Sequence, residues 1–302
     1  MTNERSTMLS VNNVDILIGK TRIVKHATFQ AHAGEIIGLI GPNGAGKTTI
    51  MKTILGLTKF TGNITVAGRP VTENDHHALA QVGALIEHPA IYPFLTGLEN
   101  LKLYCRDNVD LRHVIASLQM EAYINHKATG YSLGMKQKLG IAIALLNRPK
   151  LVILDEPMNG LDIEATIGVR KIIKQFAEQG TTFLISSHIL GELQKVMTRV
   201  VLINSGDIIV NRDIKTFNQI SRQTYKIATE NNALSLKLLD ANNLSAAQND
   251  QYLVVKAEDI YRIQDVLYAN DIHLKEISPL DTNFEQIIVN ILKKQRGRSH
   301  AE

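Results

Sequence analysis

The feature that most constrains this 302-residue chain is the run Gly41-Pro42-Asn43-Gly44-Ala45-Gly46-Lys47-Thr48, set directly after the apolar stretch Ile36-Ile37-Gly38-Leu39-Ile40. It matches G-x-x-x-x-G-K-[ST]. The apolar stretch is short and follows the turn residues Gly34 and Glu35, which fits a buried strand. After the loop, Ile50, Ile54 and Leu57 recur at helical spacing, which predicts a helix from Ile50 to Leu57. Strand, glycine-rich loop and helix together form the context of a phosphate-binding loop. Glycines let the backbone aim its N–H groups at β- and γ-phosphates, and the helix N-terminus adds positive partial charge. Lys47 then reaches the phosphate oxygens, and the Thr48 hydroxyl is placed to ligate Mg²⁺.

A second apolar run, Leu151-Val152-Ile153-Leu154, ends in Asp155-Glu156. An aspartate at the end of a buried strand can hold Mg²⁺ through water. The neighbouring Glu156 can act as general base toward an attacking water, an effect worth ~10²–10⁴ in rate. Around these two points residues 8–40 read as short strands. Residues 97–126 and 133–147 read as helical, as does about 164–179 with Ile167, Ile172 and Phe176 among its apolar positions. Thr181 to Ser186 reads as another strand. Strands alternating with helices predict a parallel sheet covered on both faces.

The texture changes near residue 215. Glycine is missing from 207 to 296, and three strand-then-helix units follow, with strands at Thr224–Thr229, Tyr252–Lys256 and Ile272–Ile277. The last helix carries Phe284, Ile287, Ile288, Ile291 and Leu292 in one stripe, with Thr282 and Glu285 at capping-box spacing. Its basic end, Lys293-Lys294-Gln295-Arg296-Gly297-Arg298, reads as a solvated terminus, with contact to anionic lipid as the other reading.

At 44% hydrophobic and 21% charged, the chain is not a disordered one. Its net charge of +4 is too small to single out a partner. One cysteine excludes a disulfide framework and a multi-cysteine metal site, and Cys105 is expected as a small core residue. The N-terminus has no apolar signal region, and no apolar run nears the ~20 residues of a membrane helix. The chain is therefore expected to be cytoplasmic and to reach the cytoplasmic face of a membrane, if at all, through a partner.

Between the two halves of the site lies Tyr131-Ser132-Leu133-Gly134-Met135-Lys136-Gln137. This segment resembles the signature of ATP-binding cassette (ABC) proteins, usually written LSGGQ. Asn159-Gly160-Leu161-Asp162 resembles the family's D-loop, and His188 stands where the family has its switch histidine. The resemblance runs over roughly residues 8–212. It implies an α/β fold, the P-loop NTPase ABC nucleotide-binding domain over 8–215. That domain has a RecA-like core, an antiparallel β subdomain and a helical subdomain at about 88–150, and a small α/β domain with a basic tail follows over 216–302.

The resemblance also implies a mechanism. Cassettes pair head to tail as homo- or heterodimers with ATP between them. One subunit supplies Gly41, Pro42, Asn43, Gly44, Ala45, Gly46, Lys47, Thr48 and Thr49, with Glu156 and His188 as catalytic residues. The facing subunit supplies Ser132 and Gly134, since a γ-phosphate needs donors on both sides. Glu87 takes the place of the Q-loop glutamine, so Thr48, Glu87 and Asp155 are the implied Mg²⁺ ligands. The implied partner is an integral membrane permease. One cassette without a heptad run argues against a ribosome- or DNA-acting member, hence no nucleic acid.

Four positions depart from the pattern: Leu133 and Met135 within the signature, Glu87 in the place of the Q-loop glutamine, and Ile18 where an aromatic residue usually stacks on adenine, which implies weak stacking. Glu87 within Ile86–Thr96 is similar to the ATPase subunits of bacitracin-resistance and lantibiotic-immunity exporters, of ABC-2 type. Export of an antimicrobial peptide is the implied task, with another exported cargo or an importer role as the alternatives. Ile91, Tyr92, Phe94 and Leu95 either receive the permease's coupling helix or pack inside the helical subdomain.

Overall fold

The computed structural model describes residues 6–221, 224–249, 251–279 and 284–299. The chain divides into two compact units, Met1–Ile214 and Lys215–Glu302.

In the first unit two long strands, β1 (Thr7–Ile18) and β2 (Thr21–His32), pair antiparallel and lead into β3 (Ile36–Ile40). Next come helix α1 (Lys47–Ile54), the hairpin β4 (Thr61–Val66) and β5 (Arg69–Pro70), and β6 (Val82–Leu85). A helical stretch follows with α2 (Gly97–Lys102), α3 (Asn108–Ser117) and α4 (Leu133–Leu145). The chain returns through β7 (Leu151–Asp155), α5 (Ile163–Glu178), β8 (Thr182–Ser186), α6 (Leu190–Gln194), β9 (Arg199–Asn204) and β10 (Asp207–Asp213).

The strands form one sheet in the order β5-β4-β1-β2-β10-β9-β3-β8-β7-β6. Strands β9, β3, β8, β7 and β6 run parallel, and the β5-β4-β1-β2 edge is antiparallel. β3, β7 and β8 are buried at every position, which is why they read as unbroken apolar runs rather than alternating ones. Helix α4 lies so close to β6 that a Cβ on Gly83 would fall 1.7 Å from the Ala144 carbonyl oxygen. Only glycine permits that approach.

Several predicted boundaries shift, the strand expected at Ile272–Ile277 to Leu274–Pro279 among them, and two of the shifts have a clear physical reason. The first helix stops at Ile54, and Gly56 at φ +69° turns the chain. Leu57 therefore lies beyond the helix and is exposed, off the apolar face assigned to it. The helical reading of 97–126 breaks into α2 and α3, because Asp107 accepts the Val109 N–H and starts a new helix there. Cys105 falls in that break, half-buried, its thiol donating to the Asp107 carbonyl at 3.1 Å. It is a loop residue, not a core one.

The second unit begins near α7 (Ile214–Ser221). It holds β11 (Thr224–Thr229), α8 (Asn232–Ala241), β12 (Ala246–Gln248), β13 (Leu253–Lys256), α9 (Ile260–Ala269), β14 (Leu274–Pro279) and α10 (Phe284–Ser299). The four strands form an antiparallel sheet in the order β12-β13-β11-β14, the split βαβ arrangement. Ile227, Leu239, Leu253, Ile263 and Leu267 centre its core. β12 escapes the sequence reading because three residues carry no usable period. Phe284, Ile287 and Ile288 of the terminal stripe are buried, and Phe284 stacks against Phe217 at 5.3 Å between ring centroids. Thr282 of the expected capping box lies outside the described residues, as do the side chains of Lys294, Arg296 and Arg298.

Candidate functional site

The carboxyl ends of β3, β7 and β8 open on one edge of the parallel sheet, the edge where ligands bind in open α/β folds. β3 passes into the glycine-rich loop, and α1 starts at Lys47. Gly44 and Gly46 hold φ of +77° and +107°, conformations that suit glycine. Gly46 is the N-cap of α1 and offers no capping side chain, so the first-turn N–H groups keep the polarity that attracts an anion. Lys47 is buried, and its ammonium donates to the carbonyls of Gly41 at 2.7 Å and Pro42 at 3.3 Å. The loop thus closes on its own lysine. Pro42 is half-buried and Asn43 exposed, while Ala45 is buried and Thr49 half-buried on α1.

From Thr48 a line of hydrogen bonds crosses the sheet edge. Thr48 Oγ1 donates to Asp155 Oδ2 at 2.8 Å. Ser186 Oγ donates to Asp155 Oδ1 at 2.5 Å and accepts the Glu156 N–H at 2.9 Å. Glu156 Oε2 accepts the His188 N–H at 3.1 Å and faces its Nδ1 at 2.7 Å. Asp155 and Ser186 are register partners in the β7–β8 ladder and both are buried, whereas Glu156 and His188 reach the surface. Glu156 has left the strand at φ +51°, a costly conformation for a side chain with a Cβ. The sequence reading places Ser186 only at the end of a strand. A polar residue closing an apolar run, one strand over from Asp155, is the signal that marks it.

Glu87 is not part of this line. It is at φ +60°, exposed, and accepts the Lys52 ammonium at 2.6 Å, one turn along α1 from Thr48. The hydrogen bond and charge of Lys52 hold the Glu87 carboxyl below the usual glutamate range. Lys52 is its partner here, in place of the expected Thr48 and Asp155.

Ser132 and Gly134 lie at the start of α4. Ser132 caps the helix by accepting the Met135 N–H at 3.2 Å. Gly134 has Leu161 and Ala165 as its neighbours. Leu133 is exposed and covers Gly160, where a Cβ would meet its Cδ2 at 2.6 Å. Asp162 caps α5 through the Ala165 N–H at 2.7 Å. The signature-like turn and the D-loop-like turn are therefore adjacent within one chain. Ile18, at the end of β1, is exposed. Tyr92 and Phe94 are also exposed, their rings 5.8 Å apart, on a loop clamped by the buried Asn100, whose side-chain amide accepts the Tyr92 N–H and donates to the Tyr92 carbonyl.

Residues 24–159 match the family described as "ABC transporter". The chain is 36% identical over 287 residues to the uncharacterized ABC transporter ATP-binding protein YdbJ of Bacillus subtilis, covering 92% of this chain and 93% of that one. It is 34% identical to the bacitracin transport ATP-binding protein BcrA of Enterococcus faecalis (78% and 79% covered). Against the lantibiotic transport ATP-binding protein SrtF of Streptococcus pyogenes the identity is 37% (68% and 91% covered). A solved structure titled "Structure of ATP binding subunit of ABC transporter" superposes with a TM-score of 0.65 at 27% identity, covering 71% of this chain and 93% of that one.

Proposed function

The chain belongs to the ABC transporter ATP-binding proteins, and from that premise we propose which of its residues bind and hydrolyse ATP, and for what cargo. The observation that carries the reading is the unbroken line Thr48–Asp155–Ser186–Glu156–His188 at the mouth of the phosphate loop. The N–H groups of Gly41 to Thr49 and the ammonium of Lys47 cradle the phosphates. ATP displaces Lys47 from the carbonyls of Gly41 and Pro42, so the lysine exchanges two neutral acceptors for anionic ones.

Thr48 Oγ1 and Asp155 Oδ2, 2.8 Å apart, form a pair of hard oxygen donors. Among the described residues no group of three or more His, Cys, Asp or Glu is arranged to hold a metal on its own. That donor set fits Mg²⁺, which takes one or two protein oxygens and completes its shell with substrate phosphates and water. When bound, the ion offsets phosphate charge. Glu156 takes the proton of the water that attacks the γ-phosphorus, and His188 fixes the carboxylate through Oε2 while its ring faces the γ-phosphate. Ser132 and Gly134 of a second cassette close the site at the N-terminus of their α4.

The similarity to transporters named for bacitracin and lantibiotics supports export of, or immunity to, a peptide antibiotic through a separate membrane permease. Among the described residues no helix is long and apolar enough to cross a membrane. The exposed Tyr92–Phe94 loop is the surface proposed for the permease. The test is inhibitory concentration. Co-expressed with its permease in a sensitive bacterium, the chain should raise resistance to bacitracin or a lantibiotic, and Glu156→Gln should abolish the protection. Unchanged sensitivity, with the complex verified in the membrane, removes the peptide cargo.

A further inference from the structure

The first unit carries a second concentration of positive charge at the far end of β7. Lys150 immediately precedes that strand and Asp155 ends it. Five extended residues separate the two by roughly 16 Å. Here Lys150, Arg69, Arg106 and His77 line a cleft of about 480 Å³ whose floor includes Met8 and Val66.

Among the described residues no carboxylate lines this cleft. Two neighbouring acids have other partners: Asp75 accepts the N–H of the cleft residue His77 at 2.9 Å and faces its Nδ1 at 2.7 Å, and Asp107 faces Arg148 at 3.6 Å. The heads of Arg69, Arg106 and Lys150 form no ion pair or hydrogen bond among the described residues. Some exposed cations of this unit do find acids, as Arg22 does in Asp15 and Lys59 in Glu73.

The three cations stand on fixed backbone from three separate segments. Arg69 follows a tight turn in which Ala67 and Gly68 both have positive φ, and it pairs with Val66 across the β4–β5 hairpin. The Arg106 N–H donates to Asn147 Oδ1 at 2.8 Å. The Lys150 N–H donates to the Gln81 carbonyl at 2.9 Å, and its own carbonyl accepts from Thr182 at 2.8 Å. Like charges gathered on a concave surface repel one another and raise the local concentration of anions.

Two planar guanidinium forks and one ammonium suit phosphate oxygens, which accept from a fork in pairs. Three cations call for a ligand with more than one negative charge, and the apolar floor suits an organic portion attached to it. We propose that this cleft binds a phosphate-bearing anion, at a site separate from the ATP site.

The test uses the full chain with its phosphate loop saturated by a non-hydrolysable ATP analogue. One arm titrates pyrophosphate by calorimetry. The other sediments the protein with phosphatidylcholine vesicles containing phosphatidylglycerol. Arg69→Ala, Arg106→Ala and Lys150→Ala should each weaken binding about tenfold, the usual loss for a hydrogen bond to a charged group, while Lys237→Ala in the second unit changes nothing. All four side chains are exposed, so the variants keep the fold. A response in the pyrophosphate arm assigns the site to free phosphate compounds. The same variant pattern with vesicles alone assigns it to a lipid headgroup. Binding that ignores the three substitutions, or no binding in either arm, overturns the proposal.

Discussion

The buried hydroxyl of Ser186 donates to Asp155 Oδ1 at 2.5 Å and, with its lone pair, accepts the N–H of Glu156 at 2.9 Å. One side chain on β8 thus orients two acids at the end of β7. Ser186→Ala removes no carbon atom, so it opens no apolar cavity. It strands an oxygen of Asp155 and the Glu156 N–H, at about 1–3 kcal/mol for a buried group left unpaired. We expect a lower melting temperature and an ATPase rate reduced about tenfold, with nucleotide affinity nearly kept, since Lys47 and the loop are untouched. Steady-state hydrolysis beside an ATP-analogue titration checks this. A normal rate with a lowered melting temperature would make Ser186 structural only.

Glu156→Gln tests the proposed base. The amide keeps the size of the side chain and an oxygen for the His188 N–H, so binding should persist. Turnover should fall by ~10²–10⁴, the range for a general base. Because hydrolysis no longer releases ATP, the variant should also dimerise more firmly with ATP, measurable by gel filtration. Near-normal turnover would remove Glu156 from the role.

The parallel core and both halves of the site are legible in the sequence because buried parallel strands write themselves as unbroken apolar runs ending in their chemistry: Ile36–Ile40 into Gly41, Leu151–Leu154 into Asp155. Ser186 is harder to see because its importance lies in register, the alignment of β7 with β8, which one strand's composition does not reveal. The partner of Glu87 stays hidden for a similar reason. Helix geometry brings Lys52 beneath the loop, and Lys52 and Glu87 are far apart in sequence. The break at Asp107 turns on a single side chain competing for backbone N–H groups, a local signal outweighed by the apolar pattern around it.

The Lys52–Glu87 pair predicts a pH dependence. Lys52 lowers the folded-state pKa of Glu87 below its unfolded value. The favourable interaction is therefore fully present above the unfolded pKa, near 4.3, and is lost as pH falls through the lower folded value. A carboxyl resonance of Glu87 followed by NMR should titrate below the ordinary glutamate midpoint, and Lys52→Met should return it to the ordinary range. An unchanged midpoint in Lys52→Met would show that Lys52 does not hold the group. The pair is exposed, so salt should shrink the shift.

Gly160 sets two effects against each other. It sits at φ +70°, and an added Cβ would lie 2.6 Å from Cδ2 of Leu133. The left-handed backbone costs an ordinary L-residue about 1–2 kcal/mol wherever its neighbours are. The clash costs less, because Leu133 is exposed and its far end can swing into solvent. Backbone strain should therefore dominate. Gly160→Ala is expected to destabilise by about 1 kcal/mol in denaturant unfolding. Leu133→Ala added to it should restore little, and Gly160→Asn should cost less than Gly160→Ala, since asparagine visits the left-handed region more readily. Full rescue by Leu133→Ala would reverse the ranking and make the Leu133–Gly160 contact the larger of the two costs. The ATPase rate separates stability from function here. Displacing Leu133 disturbs the start of α4, where Ser132 and Gly134 are proposed to meet the γ-phosphate, so Gly160→Ala should also slow hydrolysis at temperatures where it remains folded.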